Sequence, residues 1–158
     1  MIGRTSMLAA IGAVLVSACA NGPAGKTGTM AGTPAESSFG ELPAQTLNQG
    51  QCALVLWSRK SPPLRFLMTL NEPAVARVQI QGKMVELARV AQTGQPIYGQ
   101  FPNQRYRGEG LSLSVTFSSD NMGPLNSGAV VSSAVVEYSD AQGWTAIVPA
   151  AGLIACQS

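Results

Sequence analysis

Few groups in this sequence could do covalent or acid–base chemistry. Three cysteines stand at positions 19, 52 and 156, and there is no histidine. Without histidine there is no Ser-His-Asp or Cys-His nucleophile pair, no His-ligated zinc and no imidazole titrating near neutrality. Beyond residue 50 the carboxylates are Glu72, Glu86, Glu109, Asp120, Glu137 and Asp140. A glycosidase needs two carboxyls facing each other across a cleft. Glu86 and Glu137 fall in strand-like segments and are the pair that could do so; ordinary solvent-facing strand positions account for them more simply. Ser58 and Lys60 lie two residues apart, with no accompanying motif of a Ser–Lys hydrolase. A metal site would have to use oxygen ligands, and no Asp-rich loop is present. The expectation is a protein that is not an enzyme and takes no metal and no cofactor.

The composition leaves a binding or structural role. The chain has 158 residues, of which 46% are hydrophobic and 11% charged. It can bury a core, and it carries far fewer charges than the usual quarter of a soluble domain. The net charge of +2 comes without a basic cluster, so nucleic acid is not an expected partner.

The N-terminus reads as an address. Arg4 supplies a positive start, and Met7 to Val16 is an apolar run. The run is too short to cross a hydrocarbon core about 30 Å thick. It ends in Val16-Ser17-Ala18-Cys19. This resembles the lipobox of bacterial lipoproteins: an aliphatic residue, two small residues, then the cysteine whose thiol accepts the lipid. The resemblance implies a signal peptide over 1–18, cleavage after Ala18, a diacylglycerol on Cys19 and acylation of the new amino terminus. More than one acyl chain gives stable anchoring. An ordinary secretory signal with an incidental cysteine is the alternative. Ala20 follows the cysteine where a signal for inner-membrane retention would usually be aspartate. By resemblance the expected location is the bacterial cell envelope, lipid-anchored in the outer membrane and facing the periplasm.

Residues 19–50 change in character. Gly, Ala, Pro, Thr, Ser and Asn dominate, and such a segment buries too little to offset chain entropy. A flexible tether is expected, with an r.m.s. reach of roughly 30 Å. Gly25-Lys26-Thr27 looks like the end of a phosphate-binding loop, but Ala20 stands where its first glycine belongs.

The folded domain is expected over 51–158. Strand signals recur through it, and no long helical period does. Cys52 to Trp57, Leu64 to Leu70, Ala76 to Ile80, Met84 to Ala91, Leu111 to Phe117, Ala129 to Tyr138, Trp144 to Val148 and Leu153 to Cys156 read as strands, with Gln95 to Gln100 a weaker one. In the fourth run Val85, Leu87 and Arg89 share a side. Gln81-Gly82 is a tight turn, and Asp140 to Gly143 is a hairpin loop. The fold class is all-β: a small antiparallel barrel or sandwich of about eight strands. A helix within Pro73–Arg89 is the local rival, opposed by β-branched residues and Gly82.

Cys52 and Cys156 stand at the two ends of this domain. In an oxidising compartment they are expected to form a disulfide stapling the first strand to the last; two free buried thiols are the alternative. Arg105-Tyr106-Arg107 reads as part of a loop from Gly99 to Gly110. Arginine with tyrosine is the pairing most enriched at binding hot spots.

The layout is similar to that of the membrane-bound inhibitors of c-type lysozyme, small lipoproteins with an antiparallel β-barrel bounded by two cysteines. The order Val78-Gln79-Ile80-Gln81-Gly82-Lys83-Met84-Val85-Glu86-Leu87 fits that family, followed by Thr93-Gly94-Gln95-Pro96-Ile97-Tyr98 in place of its Ser-Gly-x-x-Tyr loop. In the family the loop serine and a later lysine meet the carboxylates of the lysozyme cleft. The resemblance implies that Thr93 supplies the hydroxyl, with Tyr98 in the same loop. No lysine follows Lys83, so Arg105 or Arg107 would supply the charge, and the family's Trp-x-Lys-Gly segment is missing. The expected partner-binding residues are therefore Thr93, Tyr98, Arg105, Tyr106 and Arg107. The expected function is a lipid-anchored binding module acting on an envelope or cell-wall protein, such as a lytic enzyme. The alternative is a structural or assembly lipoprotein that offers a free sheet edge to its partner.

Overall fold

The computed structural model describes residues 39–119 and 128–158. Cys19, the signal peptide and the first part of the tether lie outside the described residues, as does Asp120. Eight strands follow in order: β1 (Cys52–Ser58), β2 (Arg65–Leu70), β3 (Val75–Ile80), β4 (Lys83–Thr93), β5 (Asn103–Gly108), β6 (Leu111–Ser118), β7 (Gly128–Ser139) and β8 (Thr145–Cys156). Each pairs antiparallel with the next, and β1 pairs with β8. The fold is thus a closed barrel and not a sandwich. The segment weighed as a helix is β3 and β4 joined by a hairpin.

Period-two alternation sorts inside from outside. Leu113, Val115 and Phe117 of β6 face inward, as do Val85, Leu87 and Arg89 of β4. An eight-stranded barrel is just wide enough for side chains to fill. Leu54, Leu56, Leu87, Leu113, Val136 and Ile154 do so and are fully buried. At Gln81-Gly82 both turn residues have positive φ, 51° and 78°, which matches the strand twist in a two-residue hairpin. At the 140–144 loop Oδ1 of Asp140 accepts the backbone N–H of Gln142 (3.0 Å) and of Trp144 (2.9 Å). That carboxylate does the work of a turn backbone.

Three expectations need correcting. Arg105 to Arg107 lie in strand β5 and not in a loop; the polar sequence Asn-Gln-Arg-Tyr-Arg hides an alternating pattern. Gln95 to Gln100 is not a strand but a loop, in which Ile97 and Gln100 close a tight turn. The two final runs are one strand, β8, passing through Pro149 beside a bulge in β7.

A fourth correction concerns the tether. Its last part is folded. Phe39 and Leu42 are buried, at 6% and 0% exposure. The Phe39 ring packs 5.1 Å from Phe66 and 5.5 Å from Tyr138, inside the end of the barrel that carries the Gln81-Gly82 hairpin. Leu42 joins Ala53, Met68 and Leu70 in a second small core on the outer wall of β1 and β2. The strap also repairs a seam. β2 and β3 pair only from Leu67 opposite Val78 to Thr69 opposite Ala76. Below that they part, and the strap bonds to both. Gly40 N donates to Gln79 O (2.8 Å), and Leu42 N donates to Arg65 O (2.7 Å). The Arg65 guanidinium donates back to Leu42 O from Nε (3.0 Å) and Nη2 (2.8 Å). Phe39 and Leu42 each contribute roughly 1.5–3 kcal/mol by burial, and Leu47 packs beside the second core.

Cys52 and Cys156 form a disulfide, opposite each other where β1 meets β8. It bridges 104 positions of the chain and sits at the barrel end away from Phe39.

Candidate functional site

The outer wall of β4 to β8 holds three of the expected binding residues, Thr93, Arg105 and Arg107. Register aligns them in rows. Ala91, Arg105, Ser114, Glu137 and Ile147 lie side by side across five strands. The neighbouring rows run Thr93, Asn103, Thr116 on one side and Arg107, Ser112, Ser139, Thr145 on the other. The serines are short and the arginine, glutamate and isoleucine are long. The sheet therefore has a low floor between tall walls: a concavity of about 520 Å³ lined by Arg105, Ser112, Ser114, Glu137, Thr145 and Ile147 among others. A second one of about 200 Å³, towards the disulfide end, is lined by Thr93, Asn103, Arg105, Ser114 and Thr116 among others. Arg105 and Ser114 line both, so the two concavities adjoin on the wall.

Thr93 and Arg105 are brought together here, and Arg107 is exposed one row away on the same face. Tyr98 stands apart. It occupies the loop turn at φ 48°, is 43% exposed and lines neither concavity. Tyr106 is not a surface residue at all. It sits between two outward arginines on β5, so strand alternation turns it inward, where it is fully buried.

The charges of the wall are open. Among the described residues neither Arg105, Arg107 nor Glu137 makes a hydrogen bond or ion pair, whereas Arg77 pairs with Glu86 (2.9 Å) and Lys83 with Glu109 (2.8 Å). Glu86 is thus engaged elsewhere, and β5 and β6 stand between its strand and that of Glu137. Ser58, considered beside Lys60, is buried, and its Oγ accepts the backbone N–H of Leu64 (3.1 Å), closing the β1–β2 loop. Among the described residues no three His, Cys, Asp or Glu side chains come together as a metal site would require.

Behind the wall lies a polar network that sequence reasoning missed. Thr69 Oγ1 donates to Gln100 Oε1 (2.7 Å), and Gln100 Nε2 donates to the backbone oxygen of Cys52 (3.2 Å). The Tyr106 hydroxyl (2.7 Å) and Arg89 Nη1 (3.0 Å) both donate to Gln104 Oε1. The Arg89 guanidinium also lies 5.5 Å from the centre of the Phe101 ring. Burial pushes the Tyr106 phenol above its ordinary range, opposed in part by Thr69 and by the Arg89 charge. Every buried side-chain polar atom among the described residues has a partner, as a low-dielectric interior requires. The one available signal was phase: Gln104 and Tyr106 are two apart, on the side of β5 opposite Arg105.

Among the described residues no serine or threonine hydroxyl of the wall hydrogen-bonds to a carboxylate or amine. The wall's hydroxyls donate and accept, and its guanidiniums offer directional donors to an acid. Comparison with protein-family models, curated proteins and solved structures finds no match.

Proposed function

We propose that the chain is a lipid-anchored protein of the bacterial cell envelope whose barrel is a binding module. Its partner is a cell-wall lytic enzyme such as lysozyme, held through acidic groups. The observation that carries the reading is the joining of Thr93 and Arg105 on one concavity, with the guanidinium unengaged. A hydroxyl and an open guanidinium side by side suit a carboxylate, which accepts directional, charge-assisted hydrogen bonds. Closure of the barrel by β1 and β8 also bears on the choice. Among the described strands it leaves no free edge for strand addition, so a partner of the barrel meets side chains, and the assembly reading loses the edge it relied on.

The test is clearing of a cell-wall suspension by c-type lysozyme in the presence of the protein. Inhibition is expected, and changing Thr93→Ala with Arg105→Ala should raise the inhibition constant by on the order of tenfold or more, the scale of a lost charge-assisted contact. Absence of inhibition by the unaltered protein rejects the lytic-enzyme partner. Undiminished inhibition by the double variant rejects the site.

A further inference from the structure

The larger concavity has a chemistry of its own. We infer that it is a saccharide site, and that the ligand class it takes is a carboxylate-bearing glycan. The inference rests on the β4–β8 wall being the binding surface and names a ligand for it.

Size comes first. About 520 Å³ lies within the roughly 300–1,000 Å³ typical of small-ligand sites. The floor comes next. Ser112, Ser114, Ser139 and Thr145 line it, and each hydroxyl can donate one hydrogen bond and accept two. Sugar hydroxyls have the same dual character, so either side can adapt to the other. The cores of protein–protein interfaces favour aromatics, methionine and arginine and are poor in serine, whereas this floor is mostly hydroxyl with Arg105 at its edge. Here the one aromatic residue of the lining, Tyr138, has its side chain buried in the barrel core.

The walls then select the sugar. Arg105 has no carboxylate partner, and its planar fork matches a carboxylate in two parallel hydrogen bonds. Glu137, also unpaired, can accept from ring hydroxyls or an amide. Ile147 is 64% exposed and offers the C–H face of a ring an apolar wall. Because the smaller concavity adjoins at Arg105 and Ser114, a ligand longer than a single ring can extend towards Thr93. A linear glycan longer than one ring, with one of its carboxylates at Arg105, fits this row better than a single sugar does.

Calorimetric titration of the full chain with oligogalacturonate, a linear glycan bearing a carboxylate on each ring, tests this. A neutral cello-oligosaccharide of equal length and inorganic sulfate serve as comparison ligands. Saturable binding of oligogalacturonate is expected, with the other two weaker. Arg105→Ala and, separately, Ser114→Val should each weaken it by about tenfold, the effect of losing a charge-assisted contact or a partner for a ligand hydroxyl. Lys83→Ala removes the same charge at the Gln81-Gly82 end of the barrel and should leave binding unchanged. No saturable binding, equal binding of sulfate, or equal loss with Lys83→Ala would overturn the inference. Lysozyme inhibition that depends on Thr93 and Arg105 without oligogalacturonate binding removes the glycan and leaves the proposed function standing. Glycan binding lost with Arg105→Ala, without lysozyme inhibition, does the reverse.

Discussion

The Tyr106 hydroxyl donates to Oε1 of Gln104 at 2.7 Å inside the barrel, while Arg105 between them points outward and lines both concavities. One short strand thus serves two environments. Its inner residues build a satisfied polar core, and that core fixes the backbone from which the outer arginines project.

The phenol can be removed without orphaning its acceptor, because Arg89 also donates to Gln104 Oε1. Tyr106→Phe should cost about 1 kcal/mol of stability, the net contribution of one hydrogen bond. Its pH signature is more specific. Burial raises the folded-state pKa of Tyr106, and of Tyr138, above the ordinary 10.0. Below that value both states keep the proton and stability is unaffected. As pH rises above 10.0 the unfolded chain loses its protons first, so stability falls until the folded phenols ionise too. Denaturant midpoints should therefore drop above about pH 10, with a shallower drop in Tyr106→Phe. Equal slopes in the two proteins would refute a buried, protonated Tyr106.

The strap makes a second prediction. Phe39→Ala in the full chain should destabilise by about 3–5 kcal/mol and Leu42→Ala by about 2–5 kcal/mol, as for other buried truncations. A flexible tether would show changes within about 0.5 kcal/mol. Urea unfolding separates the two outcomes.

The disulfide closes a loop spanning 104 positions. Chain-entropy reasoning gives about 4–5 kcal/mol for such a loop as an upper figure. Cys52→Ala with Cys156→Ala should lower the thermal midpoint by many degrees. An unchanged midpoint would show that the strand ladder between β1 and β8 suffices by itself.

The proposed anchor is tested at Cys19. Cys19→Ser, expressed in a bacterium with a lipoprotein pathway, should move the chain from the membrane to the soluble fraction. Intact mass should show the acylated amino terminus at residue 19 in the unaltered protein and its absence in the variant. An unmodified residue 19 with the leader retained would reject the anchor.

The sequence alone determined what is local. Period-two alternation in Leu111 to Phe117 revealed a strand and its inner face, and Gln81-Gly82 announced its turn, because each depends on neighbours in the chain. Tertiary structure decided the rest. Alternation in Asn103 to Gly108 was masked because the inward positions hold Gln104 and Tyr106, whose polar atoms become tolerable inside only once Arg89 and Gln100 arrive from other segments. Phe39 looked like one aromatic in a tether until Phe66 and Tyr138 enclosed it. The concave row, too, exists only through register: three strands must align before Arg105, Ser114 and Glu137 lie side by side. Burial and register are sums over contacts between distant residues, and no local window of the chain contains them.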